Sequence, residues 1–132
     1  MSDCSILVCD DEPHIVHVVS TKLRNAGYDV ITAADGEEAF DLAKERRPAL
    51  LITDYQMPCL SGLELCAKLR ANDATKAMPV IMLTARGFSL SMEELEKTNI
   101  RQVLPKPFSP REVLKLVEST LEHRPVGATP SA

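Results

Sequence analysis

Apolar runs alternate with helix-like segments five times along the chain. Three of these runs, residues 6–9, 50–53 and 80–83, have no polar residue before their last position and therefore indicate buried strands. The run at residues 28–33 is interrupted by Asp29 and Thr32, a pattern that an edge strand tolerates better than a central strand. The alternation predicts an α/β fold, in which a parallel sheet is wrapped by helices on both faces.

Local signals indicate where the helices begin and end. Pro13 suits the first turn of a helix because its φ is fixed, and Gly27 is expected to end that helix. A second helix is expected to begin around Asp35 and Gly36. Three segments have the Ser-x-x-Glu pattern of a capping box and predict further helix starts: Ser61-x-x-Glu64, Ser91-x-x-Glu94 and Ser109-Pro110-x-Glu112.

Polar side chains follow the predicted strands. Asp10 and Asp11 come after the first apolar run, Asp54 and Thr84 come after two later runs, and Lys106 lies in the segment Lys106-Pro107-Phe108. Because the carboxyl ends of parallel strands share one edge of the sheet, these side chains are expected to converge there. Three crowded carboxylates repel one another unless a cation lies among them, and Mg²⁺ prefers oxygen ligands of this kind.

Each of these residues, taken singly, also has a purely structural interpretation. Asp54 can cap the turn that follows its strand, and Asp10 with Asp11 can cap the first helix and complement its dipole. Lys106 can be a surface lysine in a proline-rich turn, and a threonine at a strand end is often structural. The individual residues leave both interpretations open.

Four motifs, in this order, resemble those of the receiver domain of two-component response regulators: Asp10-Asp11-Glu12-Pro13, Asp54-Tyr55-Gln56-Met57-Pro58 with Gly62 shortly after, Thr84-Ala85, and Lys106-Pro107-Phe108. The resemblance extends from about Cys4 to about His123. It implies a flavodoxin-like, doubly wound sheet of five parallel strands in the order 2-1-3-4-5, with five helices. Residues 1–123 are then expected to form the receiver domain, and residues 124–132 a tail or the start of a linker.

The resemblance implies a phosphorylation site and a metal site. Asp54 is expected to be the phosphorylated residue and the nucleophile, a role in which a carboxylate forms an acyl phosphate. A Mg²⁺ ion is expected to be bound directly by Asp11, Asp54 and the backbone carbonyl of Gln56, with Asp10 acting mainly through water. Glu12 is expected to stay peripheral to this site.

Two further residues acquire catalytic roles from the resemblance. Lys106 is expected to pair with Asp54 at rest and with a phosphoryl oxygen after transfer. The family pattern implies that its peptide bond to Pro107 is cis, which proline permits. The Thr84 hydroxyl is expected to donate a hydrogen bond to a phosphoryl oxygen. Positioning, the metal and the lysine would together stabilise the charge on the transferred group.

One position departs from the family pattern. Receivers usually carry Tyr or Phe three residues before the lysine, and in many of them that ring turns inward as the threonine moves toward the phosphate. Here the position is Val103, which has no ring to turn. Thr84 and Val103 are the expected switch residues, and we expect output to depend less on a ring rotation than in receivers that carry the aromatic residue.

The implied function is a phosphoacceptor switch and not an enzyme with a separate substrate, although it promotes its own phosphorylation and dephosphorylation. The expected partners are a histidine kinase or histidine phosphotransfer protein and a downstream target protein or effector domain, and a phosphorylation-dependent dimer is compatible with this function. One alternative is a Mg²⁺-dependent phosphatase or phosphotransferase, but that class commonly uses an Asp-x-Asp pair that the stretch around Asp54 lacks. The other alternative is a degenerate receiver used only for protein contacts, against which the intact motifs argue.

Length, charge and cysteine content narrow the functional class. A chain of 132 residues with a net charge of −4 is expected to form one domain and not to bind nucleic acid directly. No apolar stretch is long enough to span a membrane and no signal-peptide pattern opens the sequence, so a cytoplasmic protein without membrane contact is expected. Four cysteines form no Cys-x-x-Cys pair and are expected to be reduced structural thiols: Cys4, Cys9, Cys59 and Cys66.

Overall fold

The chain folds into a five-stranded parallel sheet flanked by helices. The computed structural model describes residues 5–57, 60–84 and 98–122. Within these ranges, the elements follow one another as β1 (Ser5–Cys9), α1 (Pro13–Asn25), β2 (Asp29–Ala33), α2 (Gly36–Arg46), β3 (Leu50–Asp54), α3 (Gly62–Ala71), β4 (Val80–Thr84), β5 (Ile100–Pro105) and α4 (Pro110–Glu122). All strand pairs are parallel and the order is β2-β1-β3-β4-β5, which confirms the predicted topology. The helix expected near Ser91 lies outside the described residues.

The core is divided into two clusters because successive residues of a strand point to opposite faces of the sheet. The first cluster lies on the side of α2 and α3 and includes Leu7, Leu51, Met82, Ala39, Ala43, Leu65 and Leu69. The second lies on the side of α1 and α4 and includes Ile6, Ile52, Leu83, Val19, Leu23, Val113 and Val117. Every residue of β3 and β4 is buried, so the residues at the ends of these two strands are held in a rigid frame.

The edge position of β2 explains its mixed composition. Asp29 and Thr32 are both exposed there, as the interrupted apolar pattern predicted. Two of the predicted capping boxes are also formed. At the start of α3, the Ser61 hydroxyl accepts from the Glu64 amide at 3.1 Å, and the Glu64 carboxylate accepts from the Ser61 amide at 2.9 Å. The same exchange between Ser109 and Glu112 begins α4.

The cysteines that the structure describes are core residues. Cys9 and Cys66 are free and buried, and burial raises the pKa of each thiol to about 12. Both are therefore protonated at neutral pH and poor nucleophiles, as predicted for structural thiols. Cys4 and Cys59 lie outside the described residues. None of the helices in the described ranges has the length and apolar character that crossing a membrane requires.

Candidate functional site

The carboxyl edge of the sheet brings the predicted site residues together. Asp10 follows β1 directly, Asp54 is the last residue of β3, Thr84 is the last residue of β4, and Lys106 follows β5. In the sheet register Asp54 lies opposite Leu83, and Thr84 lies opposite Pro105. Each functional side chain thus occupies the end of a different strand, and neighbouring strands set the spacing between them.

Three carboxylates form a cluster at this edge. One oxygen each from Asp10, Asp11 and Asp54 lies within 4.8 Å of the other two. Asp10 and Asp54 are 1% and 6% exposed, whereas Asp11 is exposed. The buried pair is held by the sheet, and Asp11 forms the open side of the cluster. This arrangement lets solvent or a ligand approach from one direction.

Lys106 inserts its ammonium group among the acids. Its Nζ lies 3.3 Å from Asp54 Oδ1, 3.4 Å from Asp10 Oδ2 and 3.0 Å from Glu12 Oε1. The contact with Glu12 is the shortest of the three, so the expectation that Glu12 would stay peripheral was wrong. Glu12 is the N-cap residue of α1 but makes no capping hydrogen bond with its side chain, which leaves the carboxylate free to reach the lysine.

The electrostatics of the cluster follow from burial and crowding. Burial raises the pKa of Asp10 to about 6; the charge of Asp54 adds to the rise, whereas the Glu12 amide and Lys106 oppose it. Burial also raises the pKa of Asp54, against the effect of Lys106. For Lys106, burial alone would lower the pKa, but the hydrogen bond to Glu12 and the charges of Asp10 and Asp54 outweigh it, and the pKa is raised. Lys106 is therefore protonated at neutral pH, whereas the surroundings of Asp10 and Asp54 oppose the charged form of their carboxyl groups.

The charges in this part of the structure do not balance. Among the described residues, Asp10, Glu12 and Asp54 contact the ammonium group of Lys106, and Asp11 adds a fourth carboxylate beside Asp10 and Asp54. A divalent cation would relieve the repulsion, and an all-oxygen donor set suits a hard ion such as Mg²⁺. Asp11 and Gln56 also line one open cavity of about 450 Å³. The residues present therefore fit a hard divalent ion bound at the edge of the sheet.

Thr84 contributes a buried hydroxyl at the end of β4. The residue is 1% exposed, and its Oγ1 has no hydrogen-bond partner within the described part of the chain. Its carbonyl oxygen accepts from the Lys106 amide at 2.7 Å, which ties the two site residues together through the backbone. The Lys106–Pro107 peptide bond is cis, as the family pattern implied. A buried hydroxyl without a partner is costly, so an oxygen acceptor that reached Thr84 would be favoured.

Gly62 lets the start of α3 pack closely against the backbone at the end of β3. Its amide donates to the Tyr55 carbonyl oxygen at 2.8 Å. A Cβ atom at this position would overlap the carbonyl oxygen of Asp54 and lie 3.0 Å from Met82 Sδ. Only glycine permits this close approach of the backbone to the residue at the end of β3. The sequence contained Gly62 as part of a motif, but the contact that requires it is visible only in the fold.

Comparison with known proteins identifies the family. The model of the response regulator receiver domain matches residues 6–118. The chain belongs to this family. It is 40% identical over 131 residues to the alkaline phosphatase synthesis transcriptional regulatory protein PhoP of Bacillus subtilis, an alignment that covers 96% of this chain and 52% of PhoP. The chain thus spans about half the length of the curated relatives that it matches.

Solved structures agree with this assignment. The chemotaxis response regulator CheY4 of Vibrio cholerae superposes with a TM-score of 0.81 at 34% identity, covering 88% of this chain and 97% of CheY4. The response regulator TrrA of Thermotoga maritima, solved in complex with Mg²⁺-BeF, gives a TM-score of 0.77 at 32% identity, covering 88% of this chain and 97% of TrrA. Receiver domains are signalling domains that accept a phosphoryl group and act with histidine kinases and downstream effectors.

In this receiver, Val103 lies on β5 and not in the acid cluster. It is paired with Met82 in the sheet register, is partly buried, and packs against the core cluster on the side of α2 and α3. Gln56, whose carbonyl was expected to bind the metal, is exposed just after β3. Arg101, at the other end of β5, is also exposed. Val103 is therefore part of the hydrophobic packing of the sheet.

Proposed function

We propose that Asp54 is the residue of this receiver that takes a phosphoryl group from the phosphohistidine of a histidine kinase or a histidine phosphotransfer protein. The observation that carries the proposal is the position of its carboxylate. It lies at the end of a fully buried strand, 3.3 Å from the Lys106 ammonium and within 4.8 Å of two further carboxylates. Asp10 is more deeply buried, and its Oδ1 already accepts from the Glu12 amide at 2.9 Å. Asp54 is thus the better nucleophile.

The proposed transfer requires little covalent chemistry from the protein. An Asp54 carboxylate oxygen forms a bond to phosphorus while the bond between phosphorus and the histidine nitrogen breaks, and that nitrogen keeps the electron pair. Lys106 moves its interaction from the carboxylate to a phosphoryl oxygen, and the Thr84 hydroxyl donates to another. The Lys106 ammonium is already beside the nucleophile, so it stabilises the developing charge without a large rearrangement. The chain itself is the acceptor and does not act as an enzyme on a separate substrate.

The metal in this proposal is Mg²⁺. Asp11, Asp54 and the backbone carbonyl of Gln56 would hold it directly, with Asp10 acting mainly through water. When bound, Mg²⁺ supplies positive charge to the phosphoryl oxygens and to the carboxylates that otherwise repel one another. Support comes from the excess of acids over the single lysine and from the raised pKa values of Asp10 and Asp54. These acids can ionise together at little cost only when more positive charge is present.

The proposed switch is the Thr84 hydroxyl. It has no partner among the described residues, so formation of a bond to the phosphoryl group would pull on the end of β4. Val103 packs beside β4 at Met82 and would follow this shift as part of the packed core, without a ring rotation. The changed surface would then bind a downstream target or an effector domain. In this proposal residues 1–123 are the receiver and residues 124–132 are a tail or linker.

The proposal is tested by phosphorylating the purified chain. Incubation with acetyl phosphate and Mg²⁺, followed by intact-mass measurement, should show the addition of one phosphoryl group. Asp54→Asn should abolish the adduct, while the matched exposed variant Asp41→Asn, whose side chain is 78% exposed, should retain it. Circular dichroism should show that both variants are folded. An adduct that persists in Asp54→Asn would contradict the assignment.

A further inference from the structure

A cavity of about 690 Å³ lies at the amino-terminal edge of the sheet, opposite the acid cluster. Its walls are formed by residues 47–49 before β3, by residues 73–74 and 76–79 before β4, by Arg101 and Gln102 of β5, and by Ser119 and Thr120 of α4. The phosphorylation site is at the other end of the same strands, so the two sites share no residue. The volume is within the range of small-molecule sites, about 300–1,000 Å³.

The lining of this cavity combines cations with apolar surface. Arg47, Lys76 and Arg101 are exposed residues of the wall, while Pro48 and Met78 are buried residues of the same wall. The cationic side continues into a smaller cavity of about 470 Å³, which shares Lys76 and Arg101 and adds Arg70. This concentration of positive charge is unexpected in a chain whose net charge is −4.

The cations of the wall are only partly neutralised. Asp73, the acidic residue in the lining, lies 3.6 Å from Lys76 in an exposed ion pair that contributes little. Neither Arg47 nor Arg101 forms an ion pair with a described residue. Two guanidinium groups thus remain available at the wall, and guanidinium groups bind phosphate and carboxylate in bidentate geometry and stack on planar rings.

The backbone at Arg47 provides a second, independent observation. Arg47 follows α2 with φ of 47°, and it is the one non-glycine residue with positive φ in the described parts of the chain. Glycine adopts this left-handed conformation more easily than any residue with a side chain. An arginine at this position carries backbone strain, and such strain in a non-glycine residue is often associated with a functional role.

We infer that this cavity binds a small organic anion, a phosphate or carboxylate group on a planar apolar body, as in a nucleotide. Arg47 and Arg101 would hold the anionic group, and the apolar surface around Pro48 and Met78 would contact the body. Thr120 adds a buried hydroxyl to the wall that has no partner among the described residues. Binding at this site is independent of phosphorylation at Asp54, so the two proposals can fail separately.

The test is a titration of the full chain with ADP, followed by amide chemical shifts in the presence of a metal chelator. Shifts are expected at residues 47–49, 76–79 and 101–102, with ADP binding more tightly than adenosine or inorganic phosphate alone. Absence of these shifts at millimolar ADP would overturn the inference. Shifts confined to Asp10, Asp11 and Lys106 would overturn it too, because the anion would then occupy the phosphorylation site.

Matched variants separate binding from folding. Arg47→Gly removes the guanidinium and relieves the positive φ, so the thermal stability should stay equal or rise while the affinity for ADP falls about threefold to tenfold. Arg101→Gln should weaken binding by a similar factor. Arg46→Gln, which removes the same charge from an exposed neighbour outside the cavity wall, should leave the affinity unchanged. Equal losses in Arg46→Gln and Arg47→Gly would show a general charge effect and would overturn the inference.

Discussion

Replacing Asp10 by asparagine is expected to stabilise the metal-free receiver at neutral pH, although the substitution removes a carboxylate from the acid cluster. Asp10 is 1% exposed, lies in a cluster with Asp11 and Asp54, and has its pKa raised to about 6 mainly by burial. The ionised carboxylate is therefore a source of instability in the absence of a metal. Asparagine has nearly the same shape, and its side-chain oxygen can still accept the bond from the Glu12 amide.

The size and sign of the effect follow from the pKa shift. An aspartate pKa that rises from 3.8 to about 6 on folding means that the folded state binds more protons than the unfolded state between these values. The contribution of Asp10 to the free energy of unfolding is thus greatest in acid and falls as the pH rises through about 6. At higher pH this contribution is lower by about 3 kcal/mol than in acid. The pKa of about 6 already includes the opposing effect of Lys106, which lies 3.4 Å from Asp10, so a net gain of about 1–3 kcal/mol is expected, with the full shift as its upper limit. The melting temperature should rise by roughly 3–9 °C.

The assay is thermal unfolding with a metal chelator, at about pH 7.5 and again at about pH 4.5, where the Asp10 carboxyl is protonated in the folded protein. The gain from Asp10→Asn should be large at the higher pH and small at the lower one. Asp73→Asn, which changes a side chain that is 98% exposed, serves as the control and should have little effect at either pH. A gain that is equal at both pH values, or a loss at neutral pH, would refute the reasoning.

Three other predictions follow from the site. Mg²⁺ should stabilise the fold by about 1.4 kcal/mol at ten times its Kd, and Asp11→Asn should weaken binding in calorimetric titrations; an unchanged melting temperature with no binding heat would count against the site. Gly62→Ala should lower the free energy of unfolding by about 2 kcal/mol or more and slow phosphorylation, because its Cβ would overlap the Asp54 carbonyl oxygen; a fully stable, active variant would be inconsistent with that contact. Thr84→Ala should still accept a phosphoryl group but should lose the changes in amide chemical shift that phosphorylation causes in the unsubstituted chain. Val103→Ala should keep these changes. Equal losses in both variants would be evidence for a switch at Val103.

The alternation of strands and helices could be predicted from the sequence because its signals are local, whereas the strand order followed from the family resemblance. Apolar runs mark the buried strands β3 and β4, and interruptions at Asp29 and Thr32 mark the edge strand β2. Capping residues mark the starts of α3 and α4. The convergence of the acids at one edge followed from the parallel topology alone, since the carboxyl ends of all parallel strands lie at the same edge of the sheet.

Two features of the site and surface could not be predicted, because they depend on how distant segments meet. Glu12 contacts Lys106 because the chain enters α1 in an extended conformation without a side-chain cap, and residue spacing does not encode that geometry. Arg47 and Arg101 line one cavity only because β3 and β5 begin at the same edge of the sheet. In the sequence each is an isolated charge that resembles any solvated arginine.

The most direct test of the account is the chemical location of the phosphoryl group. Borohydride reduces an aspartyl phosphate to homoserine, so reduction after phosphorylation with acetyl phosphate and Mg²⁺ marks the acceptor, and mass spectrometry of the peptides identifies it. Homoserine is predicted at position 54 and nowhere else. Homoserine at position 10 or 11, or none in a chain that has gained a phosphoryl group, would contradict the assignment of Asp54 as the acceptor.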